Sequence, residues 1–411
     1  FIKQEIVLRL KEGDKRIAPR IDEINREYRE NFRALQGTLI HRDEFHDCIK
    51  SIENERSTII SGGAGSGKSG CTEAILNYCE KRKIPHIAIK LDQRIPYRNC
   101  EIWGQGLGLP NSIAYSLHCV SRNENAVIIL DQLDALRWTQ TNSSEAVCME
   151  LIRQVENLNY ERKKKIIIMF VCRTYDLEND NNIKSLFEKK KASENVWKIV
   201  KVGDFKEAVV KDIIGKNYGL LRIPSNLYIW KHLDENENCG ECLTASHLID
   251  KWFEQICRKS VIMGLQQRTI NETKISIVDA LERTGRLYVP KQILHVDEAG
   301  LDYLISSEIV IIQNNRVGFV HQSILDYFMS QRMMENYFDG QTMENIIGEK
   351  CRQTPGRRYQ VQMFLQNLLE YDSGDFILLG KEMLVSDMSN MFFMRFWDKF
   401  KSQMIMLCNS L

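Results

Sequence analysis

The chain has 411 residues, 43% of them apolar and 27% charged, the balance of a globular protein with room for several domains. That composition excludes wholesale disorder and collagen-like or low-complexity sequence. Fifty-six Lys and Arg against 55 Asp and Glu leave a formal net charge of +1, which argues against a region living mainly on nucleic-acid phosphates.

The longest apolar runs, Ile166 to Cys172 and Ala126 to Leu130, are far shorter than the roughly 20 residues of a bilayer helix, so no membrane partner is expected. The twelve cysteines follow no framework spacing, and Cys148 and Cys172 lie in apolar runs. A reduced, cytoplasmic protein is the expectation. The chain starts at Phe1 rather than at a methionine and stops at Leu411 within an apolar stretch, which predicts the central piece of a longer protein.

Residues 1–37 are highly charged, with Ile17, Ile21, Ile24, Tyr28, Phe32 and Leu35 at helical spacing and Pro19 suited to a helix start. They read as a helical linker from an N-terminal effector. Over 38–204, apolar runs at 57–61, 86–91, 126–131, 165–172 and 196–202 alternate with amphipathic stretches near 68–82, 110–121, 143–160 and 181–192. Continuous apolar strands separated by helices predict an α/β domain, a parallel sheet with helices on both faces. Residues 205–265 read as a helical domain. In 266–340, helical segments lead to two β-runs across Asn314-Asn315, a hairpin signal that predicts a winged-helix domain. Residues 341–411 read as the start of a C-terminal helical sensor region.

The strongest motif is Gly62-Gly63-Ala64-Gly65-Ser66-Gly67-Lys68-Ser69, followed by Gly70, which has the spacing of a Walker A phosphate loop (P-loop). Glycines let consecutive N–H groups face the phosphates, and the following helix adds the positive end of its dipole. Lys68 would reach the β- and γ-phosphates, and the Ser69 hydroxyl would hold Mg²⁺. The run Ala126–Asp131 places Asp131 at the carboxyl end of a buried strand, the position of a second Mg²⁺ partner. Asp134, three residues on, is a candidate to orient the attacking water or else a helix cap. Arg173 leaves the next strand as a γ-phosphate sensor candidate, or as a surface arginine paired with Asp176 or Glu178.

These motifs, in this order, resemble the STAND class of signal-transduction ATPases, in particular its NACHT-like and bacterial antiviral (Avs-type) members. Leu39-Ile40-His41-Arg42-Asp43 is similar to the family's entry motif, with His41 replacing a glycine, and the resemblance puts Arg42 near the base or ribose. Leu221–Leu227 is similar to the segment in which a proline packs on adenine, here Pro224. Val317–Phe328 resembles the winged-helix signature whose histidine touches the β-phosphate of ADP; that residue is His321, otherwise a core histidine on an apolar helix face.

The resemblance implies an ATP/ADP switch. Sensing of a protein trigger, such as a phage protein, would permit exchange of ADP for ATP and assembly of a homo-oligomer, a tetramer or larger ring. Hydrolysis would be slow and Mg²⁺-dependent. The rivals are an AAA+ type motor, a winged-helix regulator that binds DNA, and a P-loop kinase. Cys239-Gly240-Glu241-Cys242 is a single C-x-x-C, short of a zinc ligand set, and the lysine runs at 163–165 and 189–191 read as solvated ends.

Overall fold

The computed structural model describes residues 14–30, 32, 34, 35, 37, 39–122, 124–133, 136, 143–187, 197–214, 219–234, 244–348 and 355–385. They form two compact units that divide between Lys231 and His232.

The first unit runs α1 (Ile17–Arg29), α2 (Asp43–Glu53), β1 (Thr58–Gly62), α3 (Lys68–Arg82), β2 (His86–Lys90), α4 (Cys100–Gly106), α5 (Ile113–Ser121), β3 (Ala126–Asp131), α6 (Ser143–Glu161), β4 (Ile166–Arg173), α7 (Thr174–Asn179), α8 (Asn181–Phe187), β5 (Lys198–Val202), α9 (Glu207–Ile214) and α10 (Pro224–His232). The strands make one five-stranded parallel sheet in the order β2-β3-β4-β1-β5. Because side chains alternate along a strand, each apolar run feeds two cores. Ile128 and Leu130 of β3 and Ile168 and Phe170 of β4 face one side. Val127, Ile129, Ile167 and Met169 face the other, with Ile75 and Leu76 of α3. The two-faced apolar runs were therefore a sound sign of a parallel sheet covered on both sides.

The apolar stripe of α1 does more than link. Ile17, Ile21 and Ile24 join the core on the β2–β3 side of the sheet. Asn25 is buried and stands where a further strand would pair with β2. Its side-chain amide donates to the His86 carbonyl at 2.9 Å and accepts the Ala88 N–H at 2.9 Å. An edge strand thus has its open backbone groups satisfied by a helix side chain.

In the second unit, α11 (Ala245–Ile262) and α12 (Gln267–Thr284) precede β6 (Val289–Pro290), α13 (Glu298–Ser306), β7 (Val310–Gln313), β8 (Arg316–Phe319) and α14 (Gln322–Phe338). The strands form an antiparallel sheet in the order β6-β8-β7. Asn314 and Asn315 have φ of +48° and +59°, the backbone of a type I′ turn, so the hairpin stands where the Asn-Asn pair marks it. Helices α15 (Met343–Ile347), α16 (Pro355–Tyr371) and α17 (Ser373–Val385) pack with α14 around Phe364, Leu368 and Phe376. Among the described residues no helix is long and apolar enough to cross a membrane. The described cysteines are all buried and unbridged.

Candidate nucleotide site

The loop from Gly62 to Lys68 leaves β1 and enters α3. Gly65 and Gly67 have φ of +70° and +88°, a region open to glycine at little cost. At Gly62 the limit is space, since a Cβ there would stand 2.5 Å from Ser66 Oγ and 2.7 Å from the Val202 carbonyl. The Lys68 ammonium donates to the carbonyls of Gly62 and Gly63 at 3.1 and 2.7 Å. Lys68 also opens the 15-residue α3, whose first-turn N–H groups and dipole favour an anion. Glycine conformation, a helix N-terminus and a lysine therefore converge on one loop.

Asp131 ends β3, and β4 separates it from β1. It is buried, and both carboxylate oxygens are held: the Gln132 N–H donates to Oδ1 at 2.8 Å and the Tyr28 hydroxyl to Oδ2 at 2.7 Å. Burial pushes this carboxyl above the ordinary aspartate range, against the pull of the Tyr28 hydrogen bond, the Lys90 charge, the Gln132 N–H and the Lys68 charge. Gln132 itself has φ of +60°, an uncommon conformation for a side chain of its size.

Three observations fit a bound phosphate and a hard cation here. Ser61 Oγ, Ser66 Oγ and Gln132 Oε1 are buried without a hydrogen-bond partner among the described residues. The glycine loop leaves open space, with nothing within 4 Å of where a Cβ of Gly63 would lie. The Ser69 hydroxyl and the Asp131 carboxylate are oxygen donors of the kind that Mg²⁺ takes.

Arg173, the sensor candidate, ends β4 directly beside Gly62 in the strand register, so its backbone adjoins the start of the loop. Pro224 opens α10 against the same loop: a Cβ on Gly67 would meet Pro224 Cγ at 3.2 Å. The Ser225 N–H donates to the Gly65 carbonyl at 3.3 Å. Arg42 is buried and acts on the loop's protein side. Its guanidinium donates to the Ser66 carbonyl at 2.7 Å, to Glu44 at 2.9 Å and to the Gly203 carbonyl, and lies 4.9 Å from the Phe205 ring centroid. It ties the loop to the residues after β5. Asp134 lies outside the described residues, as do Cys239 and Cys242.

His321 belongs to the second unit, at the residue preceding α14. Its Nε2 is buried. Burial, and secondarily the His232 charge, lowers its pKa to about 4 from an ordinary 6.5. The folded protein therefore holds this ring neutral while the unfolded chain protonates it first, so stability falls as pH drops from about 6.5 toward 4. Urea unfolding should show about 2 kcal/mol of stability lost through this group between pH 7.5 and pH 5. His321→Gln should show correspondingly less acid loss over that interval; an unchanged loss would count against a buried neutral imidazole.

Sequence reading missed Tyr28, Asn25, Ser225 and Gln132. A helix-spaced tyrosine looks like any core aromatic, and nothing local marks the strand end that its hydroxyl meets.

No family model matches the chain, and no curated protein does. Solved structures resemble it at low identity. A Walker-type ATPase of Pyrococcus abyssi is 13% identical over 71% of this chain and 96% of its own, with a TM-score of 0.38. The ORC2 protein of Aeropyrum pernix, in ADPNP–ADP complexes, is 11% identical over 75% of this chain and 98% of its own, at 0.34. A Pyrococcus horikoshii STAND protein with a tetratricopeptide repeat sensor is 11% identical over 88% of this chain and 52% of its own, at 0.35.

Proposed function

We propose that the chain is the ATP/ADP-dependent switch of a STAND-type ATPase, a slow Mg²⁺-dependent nucleotide hydrolase whose bound nucleotide sets its conformation. The observation that carries this reading is the phosphate loop itself, with left-handed glycines, Lys68 over its carbonyls and the Ile223–Ser225 segment against it. Phosphates would take the loop N–H groups and the ammonium. Ser69 and Asp131 would hold Mg²⁺, which when bound neutralises charge on the β- and γ-phosphates. Arg173 would report the γ-phosphate, and Asp134 would orient water. Pro224 would lie against the base, and His321 would read the β-phosphate of ADP.

In this reading residues 205–265 work as a helical module and residues 266–340 as a winged-helix module. Recognition of a protein trigger, such as a phage protein, permits ADP-to-ATP exchange. A homo-oligomer, a tetramer or larger ring, then activates an N-terminal effector in the bacterial cytoplasm. The near-neutral charge supports a protein trigger over a nucleic acid.

The test is to denature freshly purified protein and identify any released nucleotide by chromatography. Near-stoichiometric ADP is expected. Protein that comes off empty yet turns over added ATP steadily would favour the AAA+ type motor instead.

A further inference from the structure

The Tyr28 hydroxyl lies where three elements meet. It donates to Asp131 Oδ2 at the end of β3 and stands 2.9 Å from Thr72 Oγ1 on α3. The Thr72 hydroxyl donates to the Ser69 carbonyl at 2.8 Å. Each hydroxyl has one proton, and the charged carboxylate, at the shorter distance, takes the phenol's; the Thr72 proton is left to be shared between the phenol oxygen and the Ser69 carbonyl. Asp131, Tyr28 and Thr72 thus link the end of β3, α1 and α3, with the phenol's donor bond directed at the residue that is a candidate to hold Mg²⁺. All three linking side chains are buried, at 7% exposure for Tyr28, 4% for Asp131 and 0% for Thr72.

The phenol is also held from behind. Asn25, one turn earlier on α1, is bonded to β2 on both sides of its amide. Arg29, the next residue, reaches Asn77 and Glu80 of α3 at 3.1 Å. The Lys90 ammonium lies 5.3 Å from the Tyr28 ring centroid, a cation–π contact that fixes the ring face. The helix is thus braced on the sheet edge and on the P-loop helix, with the hydroxyl aimed at one carboxylate oxygen.

We propose that Tyr28 is a positioning residue for the metal-side carboxylate: it holds Asp131 in one orientation and makes α1 part of the Mg²⁺–nucleotide site. This rests on the nucleotide reading above. With Gln132 N–H on Oδ1 and Tyr28 on Oδ2, the carboxylate loses little rotational freedom when it engages the cation shell. Without the phenol, Oδ2 would be a buried charged acceptor short of a donor.

The test is Tyr28→Phe, which keeps the ring volume and removes one hydrogen-bond donor. Binding of fluorescent ADP is measured in EDTA and across a Mg²⁺ titration. Affinity in EDTA is expected to stay within about twofold of wild type, while the Mg²⁺ concentration needed for half of the metal-dependent gain rises about tenfold, the scale of losing one outer-shell partner of a metal ligand. A purely structural tyrosine would lower both affinities together. Thr72→Val, which leaves the Tyr28–Asp131 bond in place, should keep the wild-type Mg²⁺ requirement. Equal Mg²⁺ requirements for wild type and Tyr28→Phe overturn the inference while leaving the nucleotide site standing. Wild-type protein that binds no ADP with or without Mg²⁺ overturns both.

Discussion

Lys68→Ala is expected to lower affinity for ATP or ADP by about 10- to 100-fold while leaving the fold intact. Its ammonium spans the Gly62 and Gly63 carbonyls at 3.1 and 2.7 Å, so it is already held at the loop. A hydrogen bond to a charged group contributes about 1.5–3 kcal/mol, and a tenfold change in affinity is about 1.4 kcal/mol, so one lost phosphate contact with its charge reaches the stated range. In the apo protein the bonds from Lys68 to the loop carbonyls are partly solvated, so the melting temperature without nucleotide should move by a few degrees or less. Nucleotide should raise the melting temperature of wild type and not of the variant. Calorimetric titration alongside thermal unfolding separates the two effects. If Lys68→Ala bound ADP as tightly as wild type, the loop would not be the phosphate site.

The two readings of the sequence that carried furthest were those in which local physics decides. Continuous β-branched runs at 126–131 and 165–172 are buried on both faces, and only a covered parallel sheet offers that environment. Gly65 and Gly67 sit at positive φ because the turn from strand to helix requires it. Asn314-Asn315 makes its hairpin for the same reason.

What stayed hidden depends on partners distant in the chain. Tyr28 meets Asp131 across 103 residues, and Asn25 meets Ala88 across 63. The charged texture of 1–37 resembles a linker because only one stripe of α1 is buried, while the charged residues between its apolar positions are exposed or half-buried. Arg42 was found for its place near the loop, and its bonds to the Ser66 and Gly203 carbonyls and to Glu44 could not be read from the motif. A motif match locates a residue, but the chemistry it performs is set by the groups that surround it. Gln132 shows the converse: its backbone is left-handed, at φ of +60°, and no side-chain propensity announces it.

Gly65→Ala should damage the site by a different route, through shape. The new Cβ would lie 2.1 Å from Ser225 Oγ and 2.9 Å from Ser225 Cβ, and the backbone at φ of +70° disfavours any side chain. The backbone term costs about 1–2 kcal/mol. The overlap cannot be relieved by rotating one side chain, because Ser225 Cβ is fixed to the backbone that donates to the Gly65 carbonyl. Either the loop or the start of α10 must move, and the Ser225 N–H bond is lost with that movement. A fall in melting temperature and a loss of nucleotide affinity of tenfold or more are expected together. Ser225→Gly removes both clashing atoms, so the double variant Gly65→Ala/Ser225→Gly should recover most of the steric loss and retain the backbone cost. A coupling energy of about 1–3 kcal/mol in the double-mutant cycle is the expected result. Additive losses would mean that the Ile223–Ser225 segment does not press on the loop in solution, and the docking of α10 on the nucleotide site would have to be given up.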